Sequence, residues 1–454
     1  MAKSKSEKRY IVTYENVDTS QHEAAEILSI SDNDIQDAVS VMATDKEIVP
    51  SDILHFEGLG STSLTLTATE VENLKNDKRV LAVEEDLEMY PLKEEVDFSE
   101  DPFDDSDTSG VAQQYYQQGY QKGIKDTFSK FSSVAKELYN QEINISNIPP
   151  FVPIPILPFQ PIPANINMVK APKAWSRGFR GQGVKVAVLD TGIAAHPDLV
   201  ISGGASFVPG VVSFNDDNGH GTHCAGVIGA RNNFVGVVGV APRCSLYAVK
   251  VLKHNPLTGR ASGATSWILA GMTWAKNNGM HVVSMSLGGK GCVSVAYTTA
   301  VAQLNAAGVT VVCAAGNSFN DPITPQDPEF KCVNSPANSP GVLAVGAVDS
   351  NNVIAPFSSR GTGCCGAGNN PVSLVAPGVS IKSTVLGNAY GAMSGTSMAC
   401  PHVAGAAALV KQRFPAFNPA QIRAKLMGTA SDLGVPGNDS TYGRGLLNCD
   451  LATV

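Results

Sequence analysis

The sequence predicts an α/β fold, a mostly parallel sheet flanked by helices, preceded by a small α+β unit. Three observations carry that expectation. Continuous apolar runs such as Val184-Lys185-Val186-Ala187-Val188-Leu189 and Val309-Thr310-Val311-Val312-Cys313 read as strands buried on both faces. Small-residue runs of helical character follow glycine turns at 220–228 and 397–408. The first ninety residues alternate strand-like and helix-like segments on a smaller scale. At 454 residues and 43% hydrophobic, the chain exceeds one ordinary domain and has ample material for a large core.

In chain order, Arg9-Tyr10-Ile11-Val12-Thr13-Tyr14 is strand-like and 21–28 is helix-like. Leu64-Thr65-Leu66-Thr67 leads into a helix at 68–75, and Val80-Leu81-Ala82-Val83 is a further strand. An acidic tail, Glu84-Glu85-Asp86, then continues into 87–92. The net charge of −8 is concentrated in 93–107, where eight acids face one lysine; that block reads as a disordered spacer. The remainder is near neutral, and no basic patch suggests nucleic acid. Tyr116, Tyr120, Ile124, Phe128, Phe131, Ala135 and Leu138 mark one face of a helix weakened by Gly119 and Gly123, expected to pack on its own chain. Pro149, Pro150, Pro153, Pro155, Pro158, Pro161 and Pro163 impose an extended connector. The expected division is 1–92, 93–158 and 159–454.

The chemistry lies in the third part. In Ser394-Gly395-Thr396-Ser397-Met398-Ala399, Ser397 falls in the first turn of a helix, where free N–H groups favour a developing negative charge. Alone it reads equally well as a helix cap. A serine nucleophile needs a histidine to take its proton and a carboxylate to orient that histidine. Strand 184–189 runs into Asp190-Thr191-Gly192, an acid at the carboxyl end of a strand. Asn218-Gly219-His220-Gly221-Thr222-His223 is a glycine turn feeding a helix, with His220 in its first turn.

These three motifs, in this order, resemble the subtilisin family of serine proteases, and the resemblance spans roughly residues 160–450. It implies Ser397 as nucleophile, His220 as general base and then acid, Asp190 as the orienting carboxylate, and Asn317 with the Ser397 N–H as oxyanion donors. It also implies that Ser286, Leu287 and Gly288 on one side and Ala261, Ser262 and Gly263 on the other clamp an extended protein or peptide substrate. Ala315 and Gly316, with the region near Asn334 and Ser335, would wall the selective pocket. Asp321, Asp327 and Glu329 read as a solvated acidic loop, with selection of a basic substrate group as the alternative.

A Ca2+ site is implied by the same resemblance: side-chain oxygens from Gln160, Asp198 and Asn233, and carbonyls from Arg231, Val235 and Val237. Ser373 stands where some relatives carry an acid for a weaker second cation. The first 92 residues resemble an inhibitory propeptide whose tail lies in the cleft, with Glu84, Glu85 and Asp86 facing helix N-termini and Leu92 preceding the first self-cleavage. The intervening 93–158 departs from the family pattern.

His223 and His402 are expected to be hydrogen-bonded core histidines, and no His/Cys set has zinc spacing. Nine cysteines leave at least one unpaired. Cys224 and Cys400 are expected as buried thiols, Cys224 near enough to His220 to make activity mercurial-sensitive, and a bridge from Cys364 or Cys365 to Cys332 is conceivable. The charged start shows no apolar leader, and no apolar run of membrane-spanning length is present, so a cytoplasmic location or leaderless export is expected. The function expected is a self-processing serine endopeptidase zymogen. An esterase, which lacks its usual Gly-x-Ser-x-Gly elbow here, and a catalytically silent binding module locked by its N-terminal segment are the alternatives.

Overall fold

Ser20 and Thr67 each open a helix with a reciprocal cap: the hydroxyl accepts from the N–H three residues on, and Glu23 or Glu70 returns a bond to the cap N–H. The computed structural model describes residues 8–44, 46–92, 160–289, 293–319, 332–361 and 372–454. The spacer 93–158, with its expected helix and most of its proline connector, lies outside them. Residues up to 95 and from 160 onward fall in one unit.

The N-terminal part comprises β1 (Lys8–Tyr14), α1 (Gln21–Leu28), β2 (Ile35–Asp37), α2 (Ala38–Met42), β3 (Ile53–Phe56), β4 (Ser61–Leu66), α3 (Ala68–Lys75) and β5 (Val80–Glu85). Its sheet has the order β2-β3-β4-β1-β5, with β1 antiparallel to both neighbours. Strand alternation divides its apolar residues. Val12, Tyr14, Leu64 and Leu66 pack under α1 and α3, whereas Ile11, Leu54 and Phe56 join a second core together with Ile268, Leu269 and Met272. The strand β6 (Glu88–Pro91) then leaves this sheet altogether.

The larger part continues with α4 (Ala164–Met168), α5 (Ala171–Ser176), β7 (Lys185–Asp190), β8 (Ile201–Ser206), α6 (His220–Gly229), β9 (Ser245–Lys250), β10 (Lys253–His254), β11 (Ala261–Ala264) and α7 (Thr265–Asn277). It goes on through β12 (Val282–Met285), β13 (Leu287–Gly288), α8 (Val295–Ala306), β14 (Thr310–Ala314), β15 (Leu343–Val348), β16 (Leu374–Pro377), β17 (Ile381–Val385), β18 (Ala389–Met393), α9 (Thr396–Arg413), α10 (Pro419–Gly428) and α11 (Cys449–Ala452). A seven-stranded parallel sheet, β16-β15-β14-β12-β7-β9-β8, forms its centre. The expected α/β class is therefore the one observed.

Helix α9 is buried from Thr396 to Val410, and its small residues let it lie close to its neighbours. A Cβ at Gly405 would come within 2.7 Å of Val240 Cβ. Pro401 within α9 has no N–H, so the Ser397 carbonyl loses its helical partner. Ser286 Oγ, at 2.8 Å, and Cys224 Sγ, at 3.6 Å, donate to it instead. The proline thus ties the start of α9 to α6 and to Ser286 between β12 and β13, the elements around the candidate site. No described helix is long and apolar enough to cross a membrane.

Candidate active site

Asp190 is the last residue of β7, and its carbonyl accepts the N–H groups of Val251 and Leu252 at 2.8 and 3.2 Å. Its Oδ1 accepts the Thr191 N–H at 2.7 Å and lies 2.8 Å from His220 Nδ1. That contact keeps the proton of a neutral imidazole on Nδ1 and leaves Nε2 as the acceptor. Asp216, buried, fixes the turn before His220: Oδ1 accepts the N–H groups of Asn218 and Gly219, and Oδ2 accepts the N–H and the hydroxyl of Thr222. Lys250 Nζ, also buried, donates to Thr191 O at 2.6 Å and to Asp217 at 2.8 Å. Neither was picked out from sequence; an acid two residues before Asn-Gly was the available signal for Asp216.

Gly395, at φ 147°, precedes α9 and puts Ser397 in its first turn. The Ser397 hydroxyl donates to Ser286 O at 2.8 Å, and its N–H donates to Leu92 O at 3.1 Å. Asn317 Oδ1 accepts both Thr396 N and Thr396 Oγ1 at 2.9 Å, which fixes the amide. Besides Asp190 Oδ2, two buried atoms of this constellation, His220 Nε2 and Asn317 Nδ2, have no partner. Leaving such a group unpaired costs about 1–3 kcal/mol. One can receive a hydroxyl proton and the other can donate to a developing oxyanion, so both gain partners in a reaction at Ser397.

Strand β6 occupies the groove between β11 and β13 as the third strand of the sheet β10-β11-β6-β13. Met89 pairs with Gly263, Glu88 with Ala264, Tyr90 with Gly288 and Pro91 with Leu287, all antiparallel. The Leu92 N–H donates to Ser286 O at 3.3 Å. Within β6 Met89 is buried while its neighbours Glu88 and Tyr90 are exposed, as strand alternation requires, and Leu92, one residue past the strand, is buried as well. A Cβ at Gly288 would sit 2.9 Å from Leu92 Cδ1 and 3.3 Å from Asn334 Cβ, so the missing side chain makes room for Leu92. Gly316, at φ 122°, abuts Asn334, whose N–H donates to Ala315 O at 2.8 Å. Of the expected edge residues, Ala261 and Ser262 pair with β10 on their other side. Ser262 still reaches the segment, because its hydroxyl bonds Glu88 and holds that carboxyl below its usual range.

Two of the three acids before β6 meet helix N-termini. Glu84 accepts the Val295 and Ala296 N–H groups at 3.0 and 2.8 Å, and Asp86 accepts the Ser266 N–H at 2.9 Å. Glu85 departs from expectation: strand alternation turns it outward, where it pairs with Lys8 at 2.7 Å.

Around Gln160 the oxygens converge. The carbonyls of Arg231, Val235 and Val237 lie 3.1, 2.7 and 2.5 Å from Nε2, which has only two hydrogens for three acceptors. Asp198 Oδ1 is buried without a partner, while Oδ2 accepts the Val237 N–H at 2.9 Å. Asn233 Oδ1 accepts the Val235 N–H at 3.1 Å. Gln160 Oε1 accepts the Asn233 and Phe234 N–H groups at 2.8 and 3.0 Å; with the amide turned over, so that this oxygen faces the carbonyls, the set is all oxygen and, with the orphaned Asp198 Oδ1, fits a hard divalent cation.

His223 Nε2 bonds Ile381 O at 2.7 Å, and burial pushes its pKa down to about 3. His402 sits between Met398 O and Asn165 Nδ2, both at 2.8 Å, and burial lowers it to about 4. Both are neutral core groups. Cys224 and Cys400 are buried free thiols; burial, then the Asp190 charge, raises Cys224 well above its ordinary value. Cys224 Sγ lies 4.0 Å from His220 Nδ1. Cys332 is disulfide-bonded. Cys364, Cys365, Asp321, Asp327 and Glu329 lie outside the described residues.

Residues 181–445 match the subtilase family. The chain is 50% identical over 294 residues to alkaline elastase YaB of Bacillus sp. (strain YaB), covering 65% of this chain and 71% of that one. It is 49% identical over 294 residues to subtilisin Savinase of Lederbergia lenta, covering 65% and 99%. A thermostable alkaline protease of Halalkalibacterium halodurans is 42% identical over 350 residues, covering 76% and 89%. The subtilisins among these relatives are secreted, extracellular enzymes, which overturns the expected cytoplasmic location or leaderless export.

Proposed function

The chain belongs to the subtilase family and is a serine endopeptidase acting on protein or peptide substrates, and from that premise we propose that it is made as a self-processing zymogen. Residues 1–92 act as an inhibitory propeptide, 93–158 as a linker and 159–454 as the catalytic domain. Ser397 is the nucleophile, His220 the base and then the acid, and Asp190 the group that orients and stabilises the imidazole. Ser397 Oγ attacks the Leu92 carbonyl carbon as His220 Nε2 takes its proton. The resulting oxyanion is held by the Ser397 N–H and Asn317 Nδ2. His220 returns the proton to the leaving nitrogen of Lys93, and the C–N bond breaks. Water, activated by the same histidine, then cleaves the acyl-serine ester and frees the Leu92 carboxylate.

The observation that carries this reading is the Leu92 carbonyl on the Ser397 N–H, at the end of a segment paired on both edges like a substrate. Other substrates would bind as β6 does, with an apolar side chain beside Gly288. Before attack, Ser397 Oγ must exchange Ser286 O for the vacant His220 Nε2. Subtilisins typically bind calcium; here Gln160, Asp198 and Asn233, with the carbonyls of Arg231, Val235 and Val237, would hold it. The ion would supply the positive charge that these converging oxygens lack, for stability rather than chemistry.

Intact masses of the full chain and of a Ser397→Ala variant test the reading. A cut product is expected only with Ser397 present. The same product from both proteins, or none from either, would overturn it.

A further inference from the structure

Tyr390 lies on β18, outside the residues that sequence reasoning assigned to the cation site. Its hydroxyl donates to Asp198 Oδ2 at 3.0 Å, beside the 2.9 Å bond from the Val237 N–H. Those two donors occupy Oδ2 and leave Oδ1 as the buried, unpartnered oxygen. The phenol reaches Asp198 across Gly236, at φ 57°, where any Cβ would run into the ring. This glycine stands between Val235 and Val237, whose carbonyls both turn to the cradle.

A second contact closes the same loop. His196 Nδ1 accepts the Asp198 N–H at 3.1 Å, its Nε2 donates to Ala389 O at 3.0 Å, and its ring meets Tyr390 edge-on at 5.1 Å. Asp198 is thus held at main chain and side chain by one short stretch of β18.

The clip also reaches the catalytic helix. Tyr390 pairs in register with Thr384 of β17. Thr384 Oγ1 and Ser383 Oγ donate to the carbonyls of Thr222 and His223 in α6, each at 2.8 Å. One hairpin therefore joins the cation cradle to the helix that begins with His220.

We propose that Tyr390 is a positioning residue for the cation site, fixing Asp198 Oδ2 so that Oδ1 faces the carbonyl cluster and linking bound cation to helix α6. This rests on the calcium reading above. Partners of this kind typically contribute about 10- to 100-fold to metal affinity.

The test uses the full chain carrying Ser397→Ala, which prevents self-cleavage, with and without Tyr390→Phe. Each protein is stripped with EDTA, and its Tm is followed against added calcium. The parent should gain Tm with calcium, and Tyr390→Phe should need about 10- to 100-fold more calcium for half the gain. A merely structural phenol would lower Tm equally with and without calcium and leave that midpoint in place, which would overturn the proposal. A parent whose Tm ignores calcium would overturn the calcium reading itself, and the proposal with it. The Phe ring keeps its contacts with His196 and Gly236, and the Tm in EDTA reports whether the variant folds.

Discussion

The body beyond residue 160 and the junction that binds residues 8–92 to it are held by different forces. The body is sustained by burial: β7, β12, β14 and β15 are covered on both faces, and α9 is enclosed over four turns. The junction has an apolar face as well, where Ile11, Leu54 and Phe56 meet α7. Its register, however, is set by directed bonds: the main-chain ladder of β6, Glu84 and Asp86 on two helix ends, Lys276 Nζ on Gly58 O at 2.8 Å, and the Gly210 N–H on Lys46 O at 3.2 Å. Burial is non-directional and changes little with single surface substitutions, whereas each junction bond can be removed alone. On the zymogen reading proposed above, the body persists and the junction is undone.

Four substitutions probe this contrast, the largest effect first. Asn317→Ala should lower kcat by about 10²–10³, a magnitude taken from a subtilisin rather than derived from this geometry, while Tm stays within a few degrees. Peptide hydrolysis by the processed enzyme, measured beside Tm, checks it. Equal losses in rate and Tm would mean that Asn317 belongs to the fold and not to the chemistry.

Acid should act on the body through its neutral histidines. His402 and His223 have pKa values of about 4 and 3 when folded, against an ordinary value of 6.5 in the unfolded chain. The unfolded chain therefore binds more protons between these values. Their contribution is complete above pH 6.5 and is lost as pH falls towards the folded values. At 1.36 kcal/mol per unit, His402 accounts for about 3 kcal/mol lost by pH 4. His402→Gln should flatten the fall of Tm between pH 6.5 and 4 in the Ser397→Ala background; an unchanged slope would contradict it.

Glu84→Gln touches the junction alone, whereas Asp86→Asn also removes a charge that pairs with Arg9 at 3.6 Å within residues 8–92. Weakening a helix cap costs about 0.5–2 kcal/mol, so each should hasten the appearance of activity after processing by about 2- to 30-fold. The lag before peptide hydrolysis checks this, with the body's Tm unchanged. A lag that does not move would show that the apolar face, not the directed bonds, controls release.

The same contrast explains how much was legible in the sequence. Asp190, His220 and Ser397 each stand where an apolar run or a glycine turn ends, so local pattern placed them on their elements, and the structure brings them to the carboxyl side of one sheet. The segment 35–56 was not read. Its β2 and β3 are only three and four residues long, too short for periodicity, and they form through pairing, β2 with β3 and β3 with β4. Glu85 was grouped with its acidic neighbours although alternation along β5 turns it to Lys8. Ser286 was read as a clamp residue, but its second partner, the Ser397 carbonyl, exists because Pro401 withholds a hydrogen bond. Tyr390 gave no local signal, since its partner Asp198 is remote in sequence and reached only through the β17–β18 hairpin.

The central claim is that the chain holds its own segment 88–92 as a substrate. N-terminal sequencing of the first large fragment from the wild-type protein tests it most directly. A fragment beginning at Lys93 is predicted. A first fragment beginning elsewhere, with the Leu92–Lys93 bond intact, would contradict it.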